Sequence, residues 1–309
     1  MSFDLYFCWQ KNERIDFESV VTWAQTVGNF RGGSDQLWYQ NEGTGVYFSL
    51  DFEAEAPEDP EDARVPPGAC DTGLSFNLNF IRPSFFAFEA MPIVAELARR
   101  FGLSVFDPQA DNAKSLQQSV DAKNLVDSWS ASNQWAVHAF VEQPGASVVR
   151  YMPPAKSLYL WKYAREKKRL EEGCGEDVFV PTLSPVCRQG TTDVDTAVIC
   201  TEGIPMIMPA SDWVIVVRDK KGLFRSKKDK DVGVISREAF NALVGSHLRD
   251  FDWEDDMVVQ IIQPDSAEPV AKILSSIDRT LERDEFEVLA RDSFVDVEPP
   301  VTSESHSST

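Results

Sequence analysis

Histidine is scarce in this chain of 309 residues: only His138, His247 and His306 occur. A Ser-His-Asp system needs an imidazole between a nucleophile and an orienting carboxylate, and no nucleophile-elbow motif accompanies these three. His138 lies among Trp135, Val137 and Phe140, where a packed structural histidine is the expectation. Cysteine is equally sparse. Cys8, Cys70, Cys174, Cys187 and Cys200 make an odd set with no C-x-x-C pair. That argues against a disulfide framework and against a zinc site of Cys and His, and it fits a reducing compartment. A bridge from Cys187 to Cys200 across a hairpin stays open. Cys8 paired with a histidine would be the one nucleophile arrangement, but Cys8 sits in a strand pattern that reads as packing.

Other absences narrow the field further. No apolar run reaches the length of about 18 residues that a membrane span needs. The start, Met1-Ser2-Phe3-Asp4, enters a strand pattern without a secretory n-region or h-region, which predicts a cytoplasmic chain. Gly32-Gly33 and Gly43-Thr44-Gly45 lack the strand-to-helix setting of a phosphate loop. The acidic run Asp250 to Asp256 lacks the glycine and terminal glutamate of a calcium loop. No metal or other cofactor is expected, and no repeat is visible.

What the chain has in abundance is negative charge. Fifty Asp and Glu stand against thirty Lys and Arg, a formal net charge of −20. Phosphate repels such a surface, so nucleic acid and anionic membranes are poor direct partners. A basic protein partner suits it, and so does solubility alone.

The most apolar block, Gly73 to Gln109, reads strand, helix, strand. Leu74, Phe76, Leu78 and Phe80 alternate with Ser75, Asn77 and Asn79. Phe85 to Phe101 follows at helical spacing up to Gly102, and Leu103, Val105 and Phe106 resume as a strand. Pro92 predicts a kink or a late helix start. Upstream, Phe3, Leu5, Phe7 and Trp9 alternate with Asp4, Tyr6 and Cys8; Asp16 begins a helix closed by Gly28; Gln36–Gln40 and Gly45–Phe52 flank a hairpin turn at 41–44. Residues 112–142 read as helical, with Ser128, Ser130 and Ser132 marking a break between two helices. A helix running to Gly173 ends in a basic turn around Lys167, Lys168 and Arg169, which would complement its dipole. Short strands follow at Val178–Val180, Thr196–Ile199, Met206–Met208 and Val214–Val217, then helices from Ser236 and Ser266.

These elements predict an α+β fold: an N-terminal mixed sheet with helices on one face, near a ferredoxin-like arrangement, plus a second, smaller α+β domain of short strands and helices. The expected divisions are residues 1–150, 151–290, and a disordered acidic tail over 291–309. Two acidic segments are the candidate partner contacts: Glu53, Glu55, Glu58, Asp59, Glu61 and Asp62 in a proline-broken loop, and Asp250, Asp252, Glu254, Asp255 and Asp256 around Trp253. A tryptophan among carboxylates can anchor a basic surface. The basic stretch from Arg218 to Lys230 leaves pairing with a second copy of the chain open.

Three stretches carry a family likeness. Ser2-Phe3-Asp4-Leu5-Tyr6-Phe7, Thr44-Gly45-Val46-Tyr47-Phe48 and Asn79-Phe80-Ile81-Arg82-Pro83-Ser84-Phe85-Phe86 resemble immunity proteins of bacterial polymorphic and type VI secretion toxins. The resemblance ends near Ala110 and is a pattern of element starts. It implies an acidic, non-enzymatic cytosolic protein that neutralises a secreted toxin, often a nuclease with a basic cleft. It supplies no contact residues. An enzyme with an unrecognised site is the alternative.

Overall fold

The computed structural model describes residues 1–9, 15–53, 55, 64–110, 116–117, 119–143, 145, 147–219, 230–253, 257–277 and 281–298. The fold is mixed α+β, in two compact units. One comprises Met1–Val149 and the chain from Phe294 onward; the other is Arg150–Ser293.

The first unit contains β1 (Ser2–Trp9), α1 (Phe17–Val27), β2 (Phe30–Gly32), β3 (Gln36–Gln40), β4 (Tyr47–Phe52), β5 (Cys70–Asn79), α2 (Phe85–Phe101), β6 (Ser104–Phe106) and α3 (Ala122–Val141). Its sheet runs β2-β3-β4-β5-β1-β6. Every neighbouring pair is antiparallel, where a mixed sheet was expected. The cause is β1. The β5-α2-β6 unit does bring two parallel strands onto one sheet, but β1 inserts between them and is antiparallel to both. This is a split β-α-β arrangement.

Alternation decides which sheet face is buried. Phe3, Leu5, Phe7, Phe48, Leu50, Leu74, Phe76 and Leu78 are all essentially inaccessible. Helices α1 and α2 lie against β2 and β4. Burying each such side chain contributes about 1.5–3 kcal/mol. Asp16 caps α1 through a bond from the Glu18 amide. The turn between β2 and β3 requires glycine: at φ +117°, a Cβ on Gly32 would sit 2.3 Å from the Gln36 carbonyl oxygen.

Three expectations for this unit are corrected. Helix α3 is continuous from Ala122 to Val141, with no break at its serines. The Ser128 hydroxyl instead donates to Asp107 Oδ2 at 2.6 Å, so its polarity is met outside the helix. Helix α2 starts at Phe85 and not late, so of the two expectations for Pro92 only a position inside the helix remains. Finally, the chain beyond 290 is not all tail. Phe294, Val295 and Asp296 are buried in the first unit. Phe294 packs on Phe85, and Asp296 Oδ1 accepts from both the amide and the hydroxyl of Ser84 at 2.8 Å. Ser84 makes no side-chain cap of its own, so a carboxylate 212 residues away caps α2.

The second unit contains α4 (Pro154–Cys174), β7 (Leu183–Arg188), β8 (Val194–Thr201), β9 (Met206–Pro209), β10 (Trp213–Asp219), β11 (Lys230–Ser236), α5 (Arg237–Val244), β12 (Leu248–Phe251), β13 (Val259–Ile262), α6 (Pro264–Leu274), β14 (Leu281–Glu282) and β15 (Phe286–Val288). The mixed sheet is here. Its order is β14-β11-β10-β8-β7-β15, and β8 and β10 are parallel neighbours. A smaller sheet runs β12-β13-β9. Phe179, expected in a strand, makes only an isolated bridge to Met206. Helix α4 runs past its basic stretch to Cys174, and its last turn carries Glu171 and Glu172 with no basic residue. The lysine and arginine side chains pair within the helix instead, Lys167 with Glu171 and Arg169 with Glu166. All five thiols are free, so Cys187 and Cys200 do not pair.

Candidate protein-binding face

The side of the first sheet opposite its core is polar because the strands alternate. It carries Asp4 and Tyr6 from β1, Gln36, Trp38 and Gln40 from β3, Ser49 and Asp51 from β4, and Ser75 and Asn77 from β5. Register sets these in rows. Trp38 lies opposite Ser49, Ser49 opposite Asn77, and Asn77 opposite Asp4. The adjoining row is Gln36, Asp51, Ser75 and Tyr6.

The two carboxylates of this face are held by neutral donors. Asp51 accepts from Gln36 Nε2 at 2.6 Å and from the Ser49 hydroxyl at 2.8 Å. Asp4 accepts from Asn77 Nδ2 at 2.6 Å and from the Ser2 hydroxyl at 3.1 Å. Among the described residues neither has a cationic partner. Burial pushes the Tyr6 phenol up, and nearby Asp4 adds to the shift. Among the described residues Asp4 and Asp51 thus carry negative charge without an ion pair, while Arg64 lies over the Tyr6 ring on the same face.

Beside Asp51 stands an aromatic platform. Trp38 is 38% exposed and stacks on Tyr47, ring centroids 5.7 Å apart and planes 18° from parallel. Tyr47 is fixed in turn. Its phenol oxygen accepts from Arg82 Nε at 3.0 Å and Nη2 at 2.8 Å, and its ring meets Phe86 edge-on. Arg82 is aimed by a turn with an unusual backbone: Ile81 has φ +59°, a left-handed conformation that a β-branched residue rarely adopts. Such strain costs on the order of 1–3 kcal/mol and persists only where its surroundings enforce it. Asn133 of α3, fully buried, does so. Its Oδ1 accepts from the Ile81 amide at 2.7 Å, and its Nδ2 donates to the Arg82 carbonyl at 2.9 Å.

The expected acidic contacts fare unevenly. Glu53 continues the polar side of β4 past Asp51, but it pairs with Arg64 at 3.0 Å. Arg64 also pairs with Asp71 and lies over the Tyr6 ring. Glu53 is exposed, as expected of it, and shares that one arginine with Asp71. Glu55 is exposed. Glu58, Asp59, Glu61 and Asp62 lie outside the described residues, as do Glu254, Asp255 and Asp256. Asp250 and Asp252 belong to the second unit and are exposed. Trp253 is half-buried. It stacks on Phe251, lies under the Arg169 guanidinium and packs against Gly173, where an added Cβ would come within 3.0 Å of its ring.

Sequence reasoning passed over Asp4, Asp51, Trp38 and Tyr47 because it looked for charge runs. The available signal was the alternation itself, which puts all four on the solvent side of strands with apolar partners behind. Cys8 is buried, and burial pushes its thiol up to about 12, with Asp71 adding to the shift. His138 Nε2 lies 3.2 Å from the Glu298 carbonyl oxygen. Among the described residues no group of His, Cys, Asp and Glu could hold a metal ion, and no helix is long and apolar enough to cross a membrane. No family model matches the chain, and neither a curated protein nor a solved structure matches it.

Proposed function

We propose that this chain is a cytoplasmic immunity protein that neutralises a secreted antibacterial toxin, most fittingly a nuclease domain with a basic cleft, by stoichiometric occlusion. The observation that carries the reading is the pair Asp4 and Asp51. They sit on the polar sheet face, bonded among the described residues to neutral groups, in a chain of net charge −20. Opposite charge would speed encounter with a cationic cleft, and the adjacent aromatics would hold the complex. The segments that resemble immunity proteins include Asp4, Tyr47 and Arg82, all on or beside this face. Nothing in the reading asks the chain to make or break bonds.

The test is co-expression with the product of the neighbouring gene, followed by co-purification and affinity measured across a salt series. The isosteric pair Asp4→Asn and Asp51→Asn preserves shape. The proposal expects each to weaken binding severalfold, and the double charge reversal to lysine to weaken it at least about a hundredfold. Undiminished affinity in the reversed protein would remove this face from the interface. Failure to bind any cationic toxin from its own genome would remove the function.

A further inference from the structure

The Trp38 ring is 38% exposed, stacked on Tyr47 and held from behind by a strained, buried support. Interface residues that dominate binding energy are typically rigid Trp, Tyr and Arg at pre-organised positions. Leaving a tryptophan exposed beside a carboxylate, Asp51, points to an occupant that is both flat and cationic. We propose that Trp38 is the docking point for an arginine of the basic partner, its guanidinium lying over the indole and reaching Asp51. This rests on the reading of the chain as a binder of a basic protein.

Three features select arginine. Asp51 lies diagonally from Trp38 across the β3–β4 pair, since Trp38 is opposite Ser49. Diagonal neighbours sit about 7–8 Å apart, a span that a planar guanidinium can bridge while stacking. Among the described residues the Asp51 carboxylate accepts two hydrogen bonds, from Gln36 and Ser49, so acceptor sites remain for a fork of N–H donors. A lysine ammonium, compact and strongly hydrated, gains less from lying on an indole. A nucleobase would stack equally well, but its phosphates would face Asp51 and Asp4.

The experiment uses the full chain and labelled peptides of six arginines or six lysines, with affinity read by fluorescence anisotropy. The expected result is tighter binding of hexa-arginine than hexa-lysine by about three- to fivefold. Trp38→Ala should erase that preference by lowering hexa-arginine affinity more than hexa-lysine affinity, and Asp51→Asn should reduce it. Circular dichroism confirms that each variant is folded, and Trp38→Phe, which keeps a ring, should retain part of the preference. A preference that survives Trp38→Ala overturns the inference and leaves the binding reading intact. If neither peptide binds and charge reversal at Asp4 and Asp51 changes nothing with the toxin, the reading falls as well. Tighter binding of single-stranded oligothymidine than of hexa-arginine would overturn both.

Discussion

Replacing Asn133 with alanine should cost the first unit about 3 kcal/mol of stability. The figure follows from what the side chain does. Asn133 is fully buried and satisfies the Ile81 amide at 2.7 Å and the Arg82 carbonyl at 2.9 Å. Alanine leaves both groups buried without a protein partner, at about 1–3 kcal/mol each. Part of that loss is recovered if Ile81 relaxes from φ +59°, a conformation worth about 1–2 kcal/mol against it. Relaxation would carry Arg82 away from Tyr47, so the same variant should loosen Trp38. The assay is urea unfolding of the full chain, with amide exchange in α2 and α3 separating the first unit from the second. Ile81→Gly supplies the cross-check. Glycine tolerates the left-handed backbone, so in the Asn133→Ala background it should not restore stability through strain relief already taken, and the two effects should be non-additive. A loss below about 1 kcal/mol, or strict additivity, would refute the idea that Asn133 enforces a strained turn.

Further outcomes follow from other contacts. Ending the chain at Ser293 removes Phe294 and Asp296; the first unit should lose at least about 4 kcal/mol, and Phe294→Ala alone about 3 kcal/mol, read by the same exchange experiment. A truncation as stable as the full chain would make the return of the chain incidental. Cys8, whose thiol burial pushes up to about 12 from its usual 9, should resist iodoacetamide at pH 8 until the protein unfolds. The same shift makes stability pH-dependent. Below about pH 9 the thiol is protonated in both states and its contribution is complete; between about 9 and 12 only the unfolded chain ionises, so stability falls as pH rises. The buried Tyr39 phenol, raised to about 12 by burial and by Glu89, acts in the same direction. A flat stability profile from pH 8 to 11 would contradict both assignments.

Local signals in the sequence mark the local elements. The alternation of Phe3, Leu5 and Phe7 with Asp4 and Tyr6 fixes β1 and its two faces, and the Asp16 cap and Gly28 bound α1. What stays hidden is long-range. Nothing near β1 says that it inserts between β5 and β6, which turns an expected mixed sheet into an antiparallel one. Nothing near Ser84 says that its capping carboxylate is Asp296. The serines of α3 look like a helix break because serine can bond its own backbone; Ser128 finds Asp107 instead. The candidate contacts suffered likewise. Glu53 looks free until Arg64 reaches it, and Trp253 looks exposed until Gly173 makes room for it. Conversely, Trp38 and Asp51 look ordinary in a strand, and only register places them beside each other on an open face.

The most direct test is hydroxyl-radical footprinting of the chain with and without its bound basic partner. Trp135, 67% exposed on the first unit and not part of the two sheet rows, is the internal control. The account predicts that Trp38 becomes protected from oxidation in the complex while Trp135 reacts as before. Protection of Trp135, or of Phe179 in the second unit, with Trp38 unchanged would contradict it.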